Sequence, residues 1–359
     1  MPLCTLTTGS FFLWGCGTMP PLYITTQGAK VGYRGHRLVV ERDGEEVAAV
    51  PAGQVSAVYI FGNVSVTTPA LAFLLQEGID LVFLTLHGRY RGRLVGPEGG
   101  NARLRLNHYR RASDPAWVLG TARAIVLAKL HNYRTLLRRY ARRLSGTMDE
   151  GPAGDLSAAA DELDALMART PRCTTVSGLS GLEGRGTAVY FSVFHHLIRA
   201  PGWAFERRTR RPPRDPVNAL LSFGYTILTH NLESVLRAVG LDPYLGFLHQ
   251  ISYNRPSLAL DLAEEFRAVV VDSVVLRCLN NGIVVPGDFK VEPDAEYPVL
   301  LTDEGRARFI RELEARFNRE FHHPDSEERV TYRRCWELQA RRMAQAIQGG
   351  GPYRPFQVR

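Results

Sequence analysis

The sequence predicts an α+β protein in which a small N-terminal β domain with one helix is followed by a larger all-α domain. Two observations carry this. From Leu22 to about Val95 the chain runs in short β-rich stretches cut by turn signals, and beyond Gly96-Pro97-Glu98-Gly99-Gly100, which reads as a linker, the apolar period changes from two to helical. A length of 359 residues fits two domains, expected at 20–96 and 97–348, with 349–359 as an extended, mobile C-terminal tail.

Taken in order, strands are expected over Leu22–Thr26, Lys30–Arg34, Arg37–Glu41, Glu46–Val50 and Val55–Phe61, punctuated by Gly28, Gly35, Asp43-Gly44 and Gly62-Asn63 as tight turns. One helix interrupts them, opening at Thr67 or Thr68 with Pro69 in its first turn and closing near Gly78. Ile79–Leu84 is a continuous apolar run and reads as a buried strand. Asp114-Pro115 then opens a long helix whose apolar positions Val118, Ala122, Ile125, Tyr133, Leu137, Tyr140 and Leu144 lie along one face. An acidic helix over Asp155–Met167 follows, then helical segments around Gly181–Ile198, Pro216–Val239 and Ser257–Asn280, and a last pair at Asp303–Phe317 and Glu327–Ile347. The first eighteen residues read differently, and Met19 is the expected start of the folded part.

Composition narrows the function. A net charge of +8 points to a polyanionic partner, since clustered Lys and Arg gain free energy by releasing phosphate counterions. Five scattered cysteines, Cys4, Cys16, Cys173, Cys278 and Cys335, include no C-x-x-C pair; this argues against zinc and for a reduced, cytoplasmic compartment. The apolar stretch Phe11–Trp14 is too short for a signal or membrane span.

Four stretches could carry chemistry. On the helix from Ser257, Asp261 lies one turn from Glu264 and Glu265, and like charges at that spacing repel unless exposed or bridged by a cation. An acidic solvated face is the plain alternative, but the surrounding Leu, Phe and Val residues make this helix apolar on most sides. His249 precedes it by twelve residues, and imidazole with oxygen ligands suits Mg²⁺ or Mn²⁺. Glu183 sits among Gly181, Gly184 and Gly186, small residues that let another helix or a nucleic-acid backbone come close. Finally Arg207, Arg208, Arg210, Arg211 and Arg214 crowd eight positions with no acid between them, which favours an anionic partner over a solvated loop.

The wording of these stretches, taken together, resembles the CRISPR-associated adaptation endonuclease/integrase family, the larger of the two universal spacer-acquisition proteins. The carriers are Gly62-Asn-Val-Ser-Val-Thr-Thr-Pro-Ala70, Leu182-Glu-Gly184 with Tyr190-Phe191, Arg211-Pro-Pro-Arg-Asp-Pro-Val-Asn218 with Leu221-Ser-Phe-Gly-Tyr225, Gly240-Leu-Asp-Pro243 with Leu248-His249, and Ser257-Leu-Ala-Leu-Asp-Leu-Ala-Glu-Glu-Phe-Arg267. The resemblance implies a dimerising β domain and a helical catalytic domain. It implies a Mg²⁺ or Mn²⁺ ion held by Glu183, His249 and Glu264, with Asp261 as an auxiliary acid, and DNA contacts from the five arginines, Asn218, Tyr225 and Arg255. Two positions depart from the family pattern, Ala188 for a basic residue and Ala268 for a proline. The implied activity is a metal-dependent endonuclease and transesterase in antiviral defence, inserting spacers by 3′-hydroxyl attack on repeat phosphodiesters. Its implied partners are double-stranded DNA, a second copy of the chain, and the small second adaptation protein in a heterohexameric complex. The alternative is a catalytically silent DNA-binding scaffold of the same fold.

Overall fold

The computed structural model describes residues 11–12, 20–86, 88–96, 101–145, 150–292, 294–326 and 328–359. Apart from the strand Phe11–Phe12, the segment before Pro20 and residues 97–100 of the expected linker lie outside the described residues. The chain divides into two compact units, Met1–Glu98 with Val284–Asn318, and Gly99–Ile283 with Arg319–Arg359.

The first unit opens with β1 (Phe11–Phe12), β2 (Leu22–Ile24), β3 (Lys30–Arg34), β4 (Arg37–Arg42), β5 (Glu45–Pro51), β6 (Ala57–Phe61), β7 (Ser65–Val66), α1 (Thr68–Gln76), β8 (Asp80–Leu84) and β9 (Tyr90–Leu94). They form two sheets, β1-β2-β6-β8-β9 and β5-β4-β3-β7. Alternate residues such as Leu22, Ile24, Val58 and Ile60 from one sheet, and Val31, Leu38, Val40 and Val50 from the other, share a core with Ala70 and Leu74 of α1. Thr67 caps α1 through its hydroxyl at 3.4 Å from the Ala70 amide, with Pro69 in the first turn as expected. Gly28, Gly35, Gly44 and Gly62 all take positive φ at the predicted turns.

The second unit supplies α2 (Ala102–Ala112), α3 (Pro115–Leu144), α4 (Glu150–Arg169), α5 (Val176–Ser192), α6 (Pro216–Val239), α7 (Ser257–Phe266) and α8 (Ser273–Asn280). The sequence reading misses α2, whose arginine-rich exterior hides a narrow buried stripe of Leu104 and His108. The helix expected from Gly181 begins earlier because Thr175 caps it, accepting from the Gly178 amide at 3.1 Å. Asp114 and Asp215 cap α3 and α6 as their Asp-Pro pairs suggest. The segment expected as one helix over Ser257–Asn280 carries a π-type turn, Arg267–Asp272, between α7 and α8, and Ala268 lies in it.

Back in the first unit come β10 (Phe289–Val291), β11 (Val299–Leu301) and α9 (Asp303–Phe317), and the second unit closes with β12 (Glu320–His322), β13 (Arg329–Thr331) and α10 (Tyr332–Ile347). Two boundaries therefore differ from expectation. Residues 284–318, read as part of the helical domain, join the β unit: the Tyr23 hydroxyl donates to Glu314 at 2.6 Å, and the buried Arg306 donates to the Leu86 carbonyl at 2.8 Å. The last helix starts at Tyr332, after β13, rather than at Glu327, a residue outside the described ones. The tail is extended as expected, but it is not loose. Tyr353 and Phe356 are buried, and the backbone of Val358 bonds to both His131 and Asn132 of α3.

Candidate active site

Three elements of the second unit bring Glu183, His249 and Glu264 to one point, and the residue at that point is Lys129. Gly186 is what lets α5 approach: a β-carbon there would lie 2.1 Å from a Leu130 methyl of α3, whereas Gly181 and Gly184 face open space. The expected close approach is thus one of helix against helix, made by one glycine of the three. Lys129, buried on α3, pairs with Glu183 and lies 2.6 Å from Oε2 of Glu264. Thr187, one turn along α5, donates to Glu183 at 2.9 Å. Arg267 donates to the other oxygen of Glu264 at 2.5 Å, and Nε2 of His249 stands 3.8 Å from that same oxygen.

The charges follow from this packing. Burial alone would raise the Glu264 carboxyl, but Arg267, Lys129 and His249 outweigh it and bring its pKa down to about 2. Burial likewise opposes ionisation of Glu183, and Lys129 reverses the effect, leaving that carboxyl below its ordinary range. Lys129 loses from burial too, yet Glu264 and Glu183 keep its pKa above the usual lysine value. The centre is therefore two carboxylates held by an ammonium and a guanidinium.

His249 is placed by Asp261. One oxygen of Asp261 accepts from the Phe247 and Leu248 amides at 2.6 and 3.0 Å; the other takes the His249 amide at 2.9 Å and Nδ1 of its ring at 2.7 Å. Gly246 makes room, since a β-carbon there would fall 2.8 Å from Asp261. Both carboxylate oxygens are thereby engaged within the loop, so Asp261 acts as a positioning residue and not as the auxiliary metal acid expected of it. With Nδ1 turned to Asp261, Nε2 is the ring nitrogen that faces Glu264.

Glu265, the third acid of the helix, points elsewhere. It accepts from the Tyr353 hydroxyl at 2.6 Å, the Phe356 amide at 2.7 Å and Gln339 at 3.1 Å, anchoring the C-terminal tail. Burial in this neutral setting pushes its pKa up to about 7, against those three hydrogen bonds.

The expected DNA contacts separate into two groups. Asn218 is buried: its oxygen accepts from Arg208 and the Thr209 amide at 2.7 and 3.0 Å, and its nitrogen donates to the Arg207 carbonyl at 2.8 Å. Tyr225 donates to the buried Asp272 at 2.6 Å, with the cations of Arg208 and Arg267 over its ring at 5.4 and 5.0 Å. Asn218, Tyr225 and Arg208 brace the arginine loop against α6, and the donors of Asn218 and Tyr225 are taken up in doing so, whereas Arg208 is half-buried and keeps an unpartnered Nε. Arg207, Arg210, Arg211 and Arg214 are exposed and Arg255 half-buried, and no carboxylate pairs with any of them among the described residues.

Lys129, Arg267 and Asp272 escape the sequence reading as site residues. Lys129 carried a signal: it falls midway between Ile125 and Tyr133, a cation inside an otherwise apolar stripe. Among the described residues no three His, Cys, Asp or Glu side chains form a ready metal-binding group, because the ammonium lies between the carboxylates. The donors nonetheless fit a hard divalent cation. Two carboxylates are kept ionised by their cations, and a ring nitrogen of His249 stands 3.8 Å from one of them, a set of oxygen and imidazole donors of the kind such an ion takes.

The chain is that of a CRISPR-associated protein. More narrowly, the chain belongs to the Cas1 family: the family described as CRISPR associated protein Cas1 matches residues 22–315. It is similar to a protein of Thermus thermophilus named CRISPR-associated endonuclease Cas1 1, 40% identical over 341 residues that cover 93% of this chain and 98% of the relative. It is also similar to a CRISPR-associated exonuclease Cas4/endonuclease Cas1 fusion of Geobacter sulfurreducens, 39% identical over 340 residues, and spans 93% of its own length but only 59% of that fusion's. Among solved structures, a chain of a Cas6-RT-Cas1--Cas2 complex superposes with a TM-score of 0.78 at 28% identity, covering 94% of this chain and 36% of that one.

Proposed function

We propose that this chain is a metal-dependent DNA endonuclease and integrase of CRISPR adaptation, which joins a DNA 3′-hydroxyl to a phosphodiester of the repeat. The observation that carries the reading is the meeting of Glu183, His249 and Glu264, from three separate elements, around one cationic centre. These residues would hold Mg²⁺ or Mn²⁺. The ion, when bound, supplies Lewis-acid neutralisation of charge on the phosphoryl oxygens.

The rest is done by the chain. Asp261 keeps the imidazole of His249 in the orientation and tautomer that present Nε2. With Glu183, His249 and Glu264 holding a divalent ion, the Lys129 ammonium would be freed from the carboxylates and, with the Arg267 guanidinium, would meet the phosphate oxygens. Exposed Arg207, Arg210, Arg211 and Arg214 grip the duplex by its backbone without reading sequence. The 3′-hydroxyl gives up its proton to water as its oxygen bonds to phosphorus, and the bridging oxygen of the repeat strand leaves with its electron pair and takes up a proton; one phosphodiester replaces another, so no external energy source is needed. With water as nucleophile the same site cleaves.

The assembly belongs to this reading as well: a homodimer of this chain, bridged into a heterohexamer by the small second adaptation protein, acting on double-stranded DNA in the cytoplasm. The likeness to a chain of a Cas6-RT-Cas1--Cas2 complex supports the partner. Compartment rests on Cys173, Cys278 and Cys335 being free.

A second reading has an observation in its favour. Because Lys129 already neutralises Glu183 and Glu264, the cluster would also serve as an ion-paired scaffold that binds DNA and does no chemistry. A strand-transfer assay with labelled duplex and Mn²⁺ separates the two. The integrase reading expects His249→Ala to lose product while keeping DNA affinity; undiminished product in that variant, or none in the wild type despite binding, would leave the scaffold.

A further inference from the structure

A buried carboxylate is costly, and one set behind the reacting centre calls for a reason. Asp272 is fully buried at the end of the π-type turn that opens with Arg267, and it accepts from the Tyr225 hydroxyl of α6 at 2.6 Å and from the Tyr190 hydroxyl of α5 at 3.0 Å. Burial pushes its pKa up to about 6, against those two bonds and the cations of Arg208 and Arg267, so at neutral pH it is chiefly ionised. Each phenol leads to one cation of the centre. The Arg267 guanidinium, which donates to Glu264, lies over the Tyr225 ring at 5.0 Å. Tyr190 stacks on Tyr133 of α3 at 3.8 Å with 5° between the planes, and the Lys129 ammonium, 2.6 Å from Glu264, stands over the Tyr133 ring at 5.3 Å.

A cation is drawn to a ring by the negative charge of its face, and a phenol that donates to a carboxylate has both a fixed plane and a richer face. We infer that Asp272 is a positioning residue of the reaction: through the hydroxyls of Tyr225 and Tyr190 it fixes the aromatic faces from which Arg267 and, by way of Tyr133, Lys129 are aimed at Glu264. The inference rests on the metal-dependent strand transfer proposed above and adds to it the group that sets where the two cations stand. Arg208 lies over the same Tyr225 ring at 5.4 Å, so the root of the arginine loop shares this support. Loosening a cation acts with opposite sign on two quantities. It competes less with a divalent ion for the carboxylates, and it meets a phosphate less well.

The test uses the full chain, with Mn²⁺ calorimetry in the absence of DNA and single-turnover strand transfer at saturating labelled duplex. Tyr225→Phe keeps the ring and removes only the hydroxyl; it should slow strand transfer about tenfold and bind Mn²⁺ about threefold tighter than the wild type. Tyr190→Phe should move both quantities the same way by less, because it reaches Lys129 through a second ring. Asp272→Asn should slow strand transfer as Tyr225→Phe does, and adding Tyr225→Phe to it should cost little more. If Asp272→Asn fails to fold, the two Phe variants decide. A rate that falls without a rise in Mn²⁺ affinity is the result of packing alone and overturns the inference, as does wild-type behaviour in both Phe variants. A wild type that binds no Mn²⁺ and joins no DNA overturns the proposed function and this inference with it; an active wild type matched by the Phe variants overturns this inference alone.

Discussion

Glu264 and Glu265 are neighbours on one helix, equally buried, and opposite in character. The face of α7 that carries Glu264 meets Lys129, Arg267 and His249; the face that carries Glu265 meets a phenol, an amide and a peptide N–H. One carboxyl is pulled down to about 2 and the other pushed up to about 7. Burial raises both, so it cannot by itself account for the difference. What differs is whether the partners bring net charge or only dipoles: a cation beside a buried carboxylate more than repays its lost hydration, whereas neutral donors do so only in part. The charged face is built for exchange with other ions and the neutral face for holding the tail.

The comparison can be broken most sharply by removing each charge in turn. Glu264→Gln should cost on the order of 10²–10³ in strand-transfer rate, as loss of a group that fixes transition-state charge does. It should also lower stability by about 3 kcal/mol, because it leaves two buried cations short of a partner. Glu265→Gln should keep most activity and lose about 1 kcal/mol, the cost of one hydrogen bond, in chemical denaturation. Comparable losses in the two variants would erase the distinction between the faces.

Next comes the ammonium. Lys129→Met leaves Glu183 and Glu264 facing each other with one cation fewer, so calorimetry should find Mn²⁺ bound roughly tenfold tighter than in the wild type, an electrostatic change of about 1.4 kcal/mol. Unchanged affinity would mean that Lys129 does not compete for the site.

The pH dependence sharpens the contrast further, since the two acids act with opposite sign. The folded pKa of Glu264 lies below its ordinary 4.5, so its contribution is complete above pH 4.5 and is lost as pH falls toward about 2. The folded pKa of Glu265 is raised from 4.5 to about 7, so its contribution is complete below pH 4.5 and is lost as pH rises through about 7. Thermal melts of Glu265→Gln against wild type should therefore improve for the variant between pH 5 and about 8, by an amount on the order of 3 kcal/mol. A constant difference across that window would place the Glu265 titration elsewhere. The smallest effect belongs to the surface: Arg210→Ala should reduce the slope of log affinity against log salt by about 1, whereas Asn218→Ala should act through stability instead.

Much of the site was legible from the chain. Motif order brought Glu183, His249 and Glu264 forward, and the structure brings them together. The same motifs put Asn218 and Tyr225 forward as DNA contacts, whereas their donors are used within the protein, because a pattern records that a residue is constrained and not whether DNA or an internal hydrogen bond imposes the constraint. Asp261 is a similar case, since spacing put an acid near His249 without telling that its oxygens would be taken up by the loop's own amides.

By itself the sequence determined the local elements: strands from alternation, helix starts from Asp-Pro pairs and threonine caps, turns from glycine, and a basic surface from its arginines. These depend on residues a few positions apart, which the linear text contains. Only the tertiary structure decided that residues 284–318 join the β unit, that the tail is pinned to Glu265 and α3, and that Lys129 sits between two glutamates. Each of these is set by contacts between residues tens to hundreds of positions apart, and there the energy of a charge or an apolar group depends on what else is brought beside it after water has been excluded.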